Sequence, residues 1–368
     1  MHPYGRRFSG AIAAVALVGL LALGGSSGNA QDATQAATSI DITGATTITL
    51  AEEIAIDGDG ATQDGTDIVI TEGGSYVVQG TLADGMIHVA APGASVDLVL
   101  AGATISNSDG PAIYLESAAE ATVSLMDGTN NAISDGGAAE QDAALYGNVS
   151  FTIRGGGALD VQAVDEGISS TEHIFIESGA IRIHAYEDGI NANQDGVSQI
   201  DISGGFVFVA TEVGDGIDSN GSITITGGTV ITQGALVDAN SGLDADGPVT
   251  IDGGMVLSTG VMMQAPSQAS AQGIILATFG GTQSAGTLVV VRSGDTELVA
   301  FAPSIPFNAI YFSSADVVPG VAYDVYLGGT AQGEAVDGLY VDGSANPGTL
   351  VATVTTESSQ QGGFGPPR

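Results

Sequence analysis

The sequence predicts an all-β protein, built as a parallel β-helix of roughly seven coils with a C-terminal β-rich module. A short phrase with glycine at positions 167, 189, 216 and 242 recurs with periods of 22, 27 and 26 residues, which is typical of solenoids. After each copy comes a segment of alternating apolar and polar residues that ends in Gly-Gly or Ser-Gly, such as 223–228. Alternation with period two indicates strands, whereas a helix needs apolar spacing of 3.6. Each repeat is therefore one coil of strands.

The N-terminal region is expected to be a secretory signal peptide that covers residues 1–30. Arg6 and Arg7 precede an apolar run over 11–23, and small residues continue to Ala30. A membrane anchor is the alternative, but the run is short for a span. The sequence contains no Cys, which excludes a lipoprotein-type anchor and disulfides. The mature protein is predicted to be secreted or held at the cell surface.

The remaining chain divides by composition and repeat pattern. Residues 31–47 are expected to form a linker, and 48–262 a β-helix domain whose N-terminal part is a capping hairpin. Asp57 and Asp59 suggest a calcium loop, but Ala61 and Ile68 stand where oxygen ligands are needed, so the cap is preferred. Coils begin at Gly80. Residues 263–272 form a second linker, 273–355 a C-terminal β-rich module, and 356–368 a disordered tail.

Alignment of the coils on their Gly-Gly ends predicts the core. Neighbouring strands lie about 4.8 Å apart, so equivalent residues should stack as ladders inside the solenoid. The same alignment puts Arg154 beside Glu177, and a second alignment on Ala163, Ala185 and Ala210 puts Arg182 beside Asp160. The predicted inward ladders are Phe151, Ile174, Ile200, Ile223 and Val249, and Ile153, Ile176, Ile202, Ile225 and Ile251.

The net charge of −36 restricts the possible partners. The chain has 42 Asp and Glu against 6 Lys and Arg, and none of the six is a lysine. So acidic a surface repels nucleic acid and anionic membranes. It also repels anionic polysaccharide unless cations bridge the two, so an acidic polysaccharide partner requires a cation.

The repeated phrases place acidic side chains in columns along one edge of the solenoid. Carboxylates about 5 Å apart repel by roughly 3 kcal/mol per pair at an effective dielectric constant near 20. Ca²⁺ would relieve this repulsion, since it binds six to eight oxygens in flexible geometry, and glycine in each phrase would let backbone carbonyls join. The alternative is that Asp-Gly pairs only form turns. The predicted metal ligands are Asp165, Glu166, Glu187, Asp188, Asp215, Asp218, Asp244 and Asp246.

A sugar-binding surface is expected on a different strand. Arg182, His184 and Tyr186 should project outward together, with Val207 and Val209 beside them on the next coil. The sequence contains no Trp, so large aromatic platforms are scarce. Recognition of uronate sugars through a calcium bridge is therefore preferred over stacking alone.

The phrases, the intervening strands, and the segments 80–85, 109–113 and 283–287 together resemble a bacterial family of secreted carbohydrate-binding β-helix proteins related to polysaccharide lyases. The resemblance covers about 73–329. It implies a right-handed parallel β-helix with bound calcium that binds acidic plant-type glycans such as polygalacturonate, without established catalysis. Members often carry Lys after the phrase, whereas this chain has Ser169, Asn191, Asp218 and Asp244.

Two other functions stay open. A calcium-dependent lyase acting on uronate glycans would need a base, and Arg154 and Arg182 have acidic neighbours in register while His173 and His184 are single histidines. No catalytic residue is therefore assigned. A structural or adhesive surface protein is the second alternative.

Overall fold

A computed structural model describes residues 40–137, 140–237, 240–261, 270–341 and 344–356. The predicted signal peptide, residues 31–39 of the predicted linker and residues 357–368 of the predicted tail lie outside the described residues. Within the described ranges every regular element is a β-strand, and no helix is long and apolar enough to cross a membrane.

The solenoid has three faces, and each coil contributes a strand to each. The first face is a nine-stranded sheet, parallel except where β3 meets β4. Its strands are β3 (Ala61–Asp64), β4 (Asp67–Ile70), β6 (Ile87–Ala90), β8 (Ile113–Ser117), β11 (Ala143–Gly147), β14 (Glu166–Ser170), β17 (Ile190–Ala192), β20 (Ile217–Ser219) and β23 (Leu243–Ala245).

The second and third faces share the long strands β5 (Gly74–Leu82) and β7 (Ser95–Ser106), which run through both. The second face continues with β9 (Glu120–Leu125), β12 (Phe151–Gly155), β15 (His173–Ile176), β18 (Gln199–Ile202), β21 (Ser222–Ile225) and β24 (Val249–Ile251). The third face continues with β10 (Asn130–Ser134), β13 (Ala158–Ala163), β16 (Ala180–Ala185), β19 (Phe206–Thr211), β22 (Thr229–Gln233) and β25 (Met255–Gly260).

The parallel β-helix is thereby confirmed, with eight coils from β4 to β25 in the described residues. The sequence indicated roughly seven because coils were expected only from Gly80, whereas the first complete coil begins with β4 at Asp67. β1 (Thr46–Leu50) already pairs in parallel with β5, so the first strand begins just before residue 48.

The predicted core ladders are observed residue for residue. Phe151, Ile174, Ile200, Ile223 and Val249 pair in register, and so do Ile153, Ile176, Ile202, Ile225 and Ile251. All ten side chains are at most 2% exposed. Period-two alternation with one buried face leaves no other register available.

One expectation about outward side chains is confirmed in register and another is wrong. Arg154 and Glu177 lie one position beyond the paired Ile153 and Ile176, as predicted, but the ion pair of Arg154 is with Asp97 (Nη2–Oδ2 3.0 Å), two strands away on the second face. Val207 and Val209 are fully buried and point inward, since Arg182 lies opposite Phe208 and His184 opposite Ala210. The predicted alignment of β16 with β19 was shifted by one residue, and a shift of one residue exchanges the inward and outward sides of a strand.

Antiparallel strands cover both open ends of the solenoid. At the start, β2 (Ala55–Asp57) pairs with β1 and β3 pairs with β4. At the end, β29 (Phe307–Ser313) lies between β25 and β26 (Ile275–Gln283). Covered ends leave fewer unpaired backbone groups to recruit another chain.

The C-terminal residues form a six-stranded antiparallel sheet and a small two-stranded one. Outward-facing Phe208, Ile231 and Leu257 of the third face are buried in one apolar cluster with Phe301 and Phe312, so this face is covered near its end. The six strands are β27 (Val289–Ser293), β28 (Thr296–Phe301), β30 (Ala322–Leu327), β32 (Ala335–Val336), β33 (Leu339–Tyr340) and β35 (Thr349–Thr355), and the two are β31 (Thr330–Ala331) and β34 (Ala345–Asn346).

Candidate functional site

The repeated phrase forms the turn that leads into the first face. The amide of Gly167 donates to the Asp188 carbonyl (2.9 Å), and the amide of Gly189 donates to the Asp215 carbonyl (3.0 Å). The predicted column of Glu166, Asp188 and Asp215 therefore exists. Ser169, Asn191, Asp218 and Asp244 form a second column on the outer side of the first face, in the predicted register.

The glycines of the phrase have a different role from the one expected. A Cβ on Gly189 would lie 2.6 Å from the Gly216 carbonyl oxygen and 2.0 Å from Val209 Cγ1, so glycine is needed for close packing between coils. The carbonyls of Gly189 and Gly216 accept hydrogen bonds from Ile168 (3.0 Å) and Ile190 (3.1 Å). They are therefore part of the sheet ladder.

Glu166 is the most buried acid of the cluster, at 7% exposed. Its Oε1 accepts a hydrogen bond from Asn191 Nδ2 (2.5 Å), while Glu166 Oε2 and Asn191 Oδ1 are buried without a partner. Burial, reinforced by the Asp142 and Asp188 carboxylates, raises the pKa of Glu166 to about 8, against the lowering effect of Asn191. A carboxyl group in this position resists carrying an unbalanced charge.

Asp188, Asp215, Asp218 and Asp244 form the other end of the cluster. Asp188 Oδ1 accepts the Asp215 amide (2.7 Å), and Asp215 Oδ1 accepts the Ser241 amide. Burial raises the pKa of Asp215 and of Asp218 to about 7, and neighbouring carboxylates add to both shifts. Burial also raises the pKa of Asp188 and Asp244. One carboxylate oxygen of Asp188 and one of Asp215 thus stabilise the turns. This is the role expected if the Asp-Gly pairs only form turns.

The other three predicted ligands lie at the margin of this cluster. The Glu187 amide donates to the Asp165 carbonyl (3.0 Å), so these two residues align one position before the phrase. Burial raises the pKa of Asp165, and the Glu187 and Asp142 carboxylates add to that shift. Asp246 follows β23 and is exposed.

Within the described residues, no lysine or arginine balances these charges. The sequence has no lysine, and the three arginines of the described ranges pair elsewhere. Arg154 binds Asp97, Arg182 binds Asp337 (Nε–Oδ2 2.8 Å), and Arg292 binds Glu297 (Nη2–Oε2 3.2 Å).

The donor chemistry of the cluster fits a hard cation such as Ca²⁺, because every available group is a carboxylate or amide oxygen. The unpartnered Glu166 Oε2 and Asn191 Oδ1 are the atoms that such an ion would satisfy. Across the described residues, no group of three or more His, Asp or Glu side chains is arranged as a ready metal-binding group. The acids that could contribute ligands lie on four successive coils, so a single ion would bind only those of neighbouring coils; they are Glu166, Asp188, Asp215, Asp218 and Asp244.

The predicted sugar-binding residues lie on the third face, beside the part covered by the C-terminal sheet. The Arg182 guanidinium lies 5.1 Å from the centroid of the Phe206 ring, in addition to its ion pair with Asp337. The His184 ring lies 5.6 Å from the Phe208 ring, and Tyr186 is 46% exposed. That these three residues bind sugar stays a prediction.

Sequence analysis missed an aromatic row on the first face. His88, Tyr114 and Tyr146 occupy the same outward column as Ser169 and Asn191, one residue per coil. Each follows an inward Ile or Leu, as Ser169 follows Ile168. Extending that column back through the early coils, where the phrase is weaker, would have revealed them.

Comparison with known proteins identifies the family of this chain. A family model described as "Carbohydrate-binding domain-containing protein" matches residues 64–302. A protein of the same description from Acetivibrio thermocellus is 33% identical over 137 residues, which is 34% of this chain and 48% of that protein. The chain thus spans about half the length of this relative.

A solved structure is also similar, the gadolinium derivative of the polysaccharide lyase-like protein from C. thermocellum. Its sequence is 27% identical to this chain. The structural match has a TM-score of 0.47 and covers 58% of this chain and 93% of the solved chain. Because the family model covers well over half of the sequence, this chain belongs to the family of carbohydrate-binding domain-containing proteins.

Proposed function

We propose that this protein is a secreted, calcium-dependent carbohydrate-binding protein that recognises acidic, uronate-type polysaccharide without catalysis. The observation that supports this is the cluster of Glu166, Asp188, Asp215, Asp218 and Asp244, whose pKa values are raised and which no Lys or Arg of the described residues neutralises. Secretion is supported by the signal-like pattern over residues 1–30.

The physical argument is charge balance. An anionic glycan meets a protein with net charge −36, so direct contact is repulsive. A bound Ca²⁺ would supply positive charge and free coordination positions for sugar carboxylates. The carboxylates of the cluster would hold the ion at the first face and would leave coordination positions for the sugar.

The test is isothermal titration with polygalacturonate, in calcium and in chelator. We expect binding in calcium only, and no binding of a neutral polysaccharide to the acid cluster. Asp218→Asn combined with Asp244→Asn should weaken binding about tenfold or more by removing two ligand charges. Glu53→Gln removes an exposed acid outside the cluster and should leave binding unchanged.

Equal affinity in calcium and chelator would show that calcium is not needed, and absence of binding in calcium would refute the proposed ligand. Growth of ultraviolet absorbance from unsaturated uronate product during the same incubation would contradict binding without catalysis.

A further inference from the structure

One outward column on the first face changes character along the solenoid. In the early coils it carries His88, Tyr114 and Tyr146, and in the later coils Ser169, Asn191, Asp218 and Asp244. Strands lie about 4.8 Å apart, so the six steps from His88 to Asp244 extend about 29 Å. The aromatic row is therefore continuous with the acid cluster.

The three rings contact one another along the solenoid, the first pair stacked and the second pair tilted. His88 and Tyr114 have centroids 5.0 Å apart and planes within 9°, and Tyr114 and Tyr146 follow at 6.0 Å with a tilt of 56°. Rings stacked along the axis turn their edges and polar atoms outward. All three side chains are partly exposed. The surface of the row is thus a stripe of ring edges, hydroxyls and imidazole.

Surface hydrogen bonds hold this stripe in place. His88 Nε2 lies 2.6 Å from Glu116 Oε2, and Asn148 Nδ2 donates to the Tyr114 hydroxyl (2.7 Å). Contacts between rings on adjacent strands by themselves stabilise the sheet. The polar partners at the outer edge also orient donors and acceptors toward solvent, as recognition of a hydroxyl-rich ligand requires.

We propose that His88, Tyr114 and Tyr146 form a second part of the glycan-binding face. This part contacts hydroxyl groups of the same polysaccharide whose carboxylates are bound at the acid cluster. This inference rests on the proposed function. Glu116 and Asp142 near the row repel a sugar carboxylate, so the row contacts hydroxyl groups. The glycan then lies along the solenoid axis. A second copy of the protein would bind this face poorly, because both copies carry a net charge of −36 and repel each other.

Ligand length separates the two parts of the face. A galacturonate trimer reaches only the acid cluster, whereas a dodecamer along the axis also reaches the aromatic row. In calcium, we expect the Tyr146→Ala variant to bind the dodecamer roughly threefold to tenfold more weakly than wild type for each lost contact. Its affinity for the trimer should be unchanged. The control Phe175→Ala removes an outward ring from the second face and should change neither affinity.

The outcomes distinguish this inference from the proposed function. If wild-type protein binds neither oligomer in calcium, the proposed function fails and this inference with it. If wild type binds but Tyr146→Ala keeps full dodecamer affinity, or loses trimer affinity equally, the aromatic row alone is refuted. Should Tyr146→Ala fail to fold by thermal melting, the double variant Tyr114→Phe and Tyr146→Phe keeps both rings, and the same length-selective loss is expected.

Discussion

At the scale of single residues, the notable feature is a set of acids that the fold buries without a cationic partner. Glu166 has a pKa of about 8, and Asp215 and Asp218 have pKa values of about 7, in each case chiefly because burial disfavours the ionised form. Their pKa in the unfolded chain is about 4. Keeping these groups buried therefore costs stability at neutral pH.

We expect the metal-free protein to lose stability as pH rises from about 4 to about 8. Below pH 4 these carboxyl groups are protonated in both the folded and the unfolded chain, so they do not change the stability. Above pH 4 the unfolded chain releases these protons, whereas the folded chain retains them until the pH exceeds its raised pKa values. In chelator, the melting temperature should fall by several degrees across this window. Calcium should restore it at pH 8.

Glu166→Gln provides the matched variant for this measurement. The amide still accepts from Asn191 but does not ionise, so the decline between pH 4 and pH 8 should be shallower than in wild type and in the control Glu53→Gln. A melting temperature that rises over this window in chelator would contradict the assignment.

At the scale of elements, each coil is kept in place by inward ladders and by glycines at the phrase. The Ile ladders account for the register of the second face. The glycine column lets the carbonyl of one coil approach the next, since a Cβ on Gly167 would lie 2.5 Å from the Gly189 oxygen. The same close approach brings the acids of successive coils together. The turn that builds the solenoid therefore also builds the acid cluster.

Gly189→Ala tests this role. The added methyl would meet Val209 Cγ1 at 2.0 Å and the Gly216 oxygen at 2.6 Å, so we expect the free energy of unfolding to fall by about 1–3 kcal/mol in denaturant titration. Gly281→Ala is the control, because nothing lies within 4 Å of its Cβ position. Its effect should stay within about 0.5 kcal/mol. Equal stability of the two variants would show that the glycine column is not required for packing.

At the scale of the whole molecule, the three faces have different environments. The third face is covered near its end by the C-terminal sheet, through the cluster of Phe208, Ile231 and Leu257 with Phe301 and Phe312. The Arg182–Asp337 ion pair joins the same two parts. The first face carries both the acid cluster and the aromatic row. This distribution makes the first face the better candidate for a polysaccharide.

Asp337→Asn should weaken the attachment of the C-terminal sheet. Asp337 has a φ of 49°, which Asn tolerates as well as Asp does, so the variant removes the charge without adding backbone strain. Because the ion pair is partly exposed, we expect a loss of only about 0.5–1 kcal/mol in the free energy of unfolding. Asp295→Asn removes an exposed acid of the same sheet as the control. No difference between the two variants would mean that the pair contributes nothing.

Sequence reasoning predicted much of the fold and part of the candidate site. The ladders that contain Ile176 and Ile200, and the outward column of Asn191, Asp218 and Asp244, follow from repeat spacing and are observed. The aromatic row was missed because the phrase is weak around Tyr114 and Tyr146. Asp160 lies opposite Arg182 as predicted, but the ion-pair partners Asp97 and Asp337 were missed, since long side chains reach beyond the adjacent coil.

Spacing and alternation in the chain were sufficient to establish a parallel β-helix and the register of its second face, because a one-residue slip would turn the inward ladders of that face outward. Which carboxylates are buried, which cations are already paired, and which face the C-terminal sheet covers were decided by tertiary structure alone. Burial and charge at a residue depend on what packs against it from distant parts of the chain, and a repeat pattern carries no record of those neighbours.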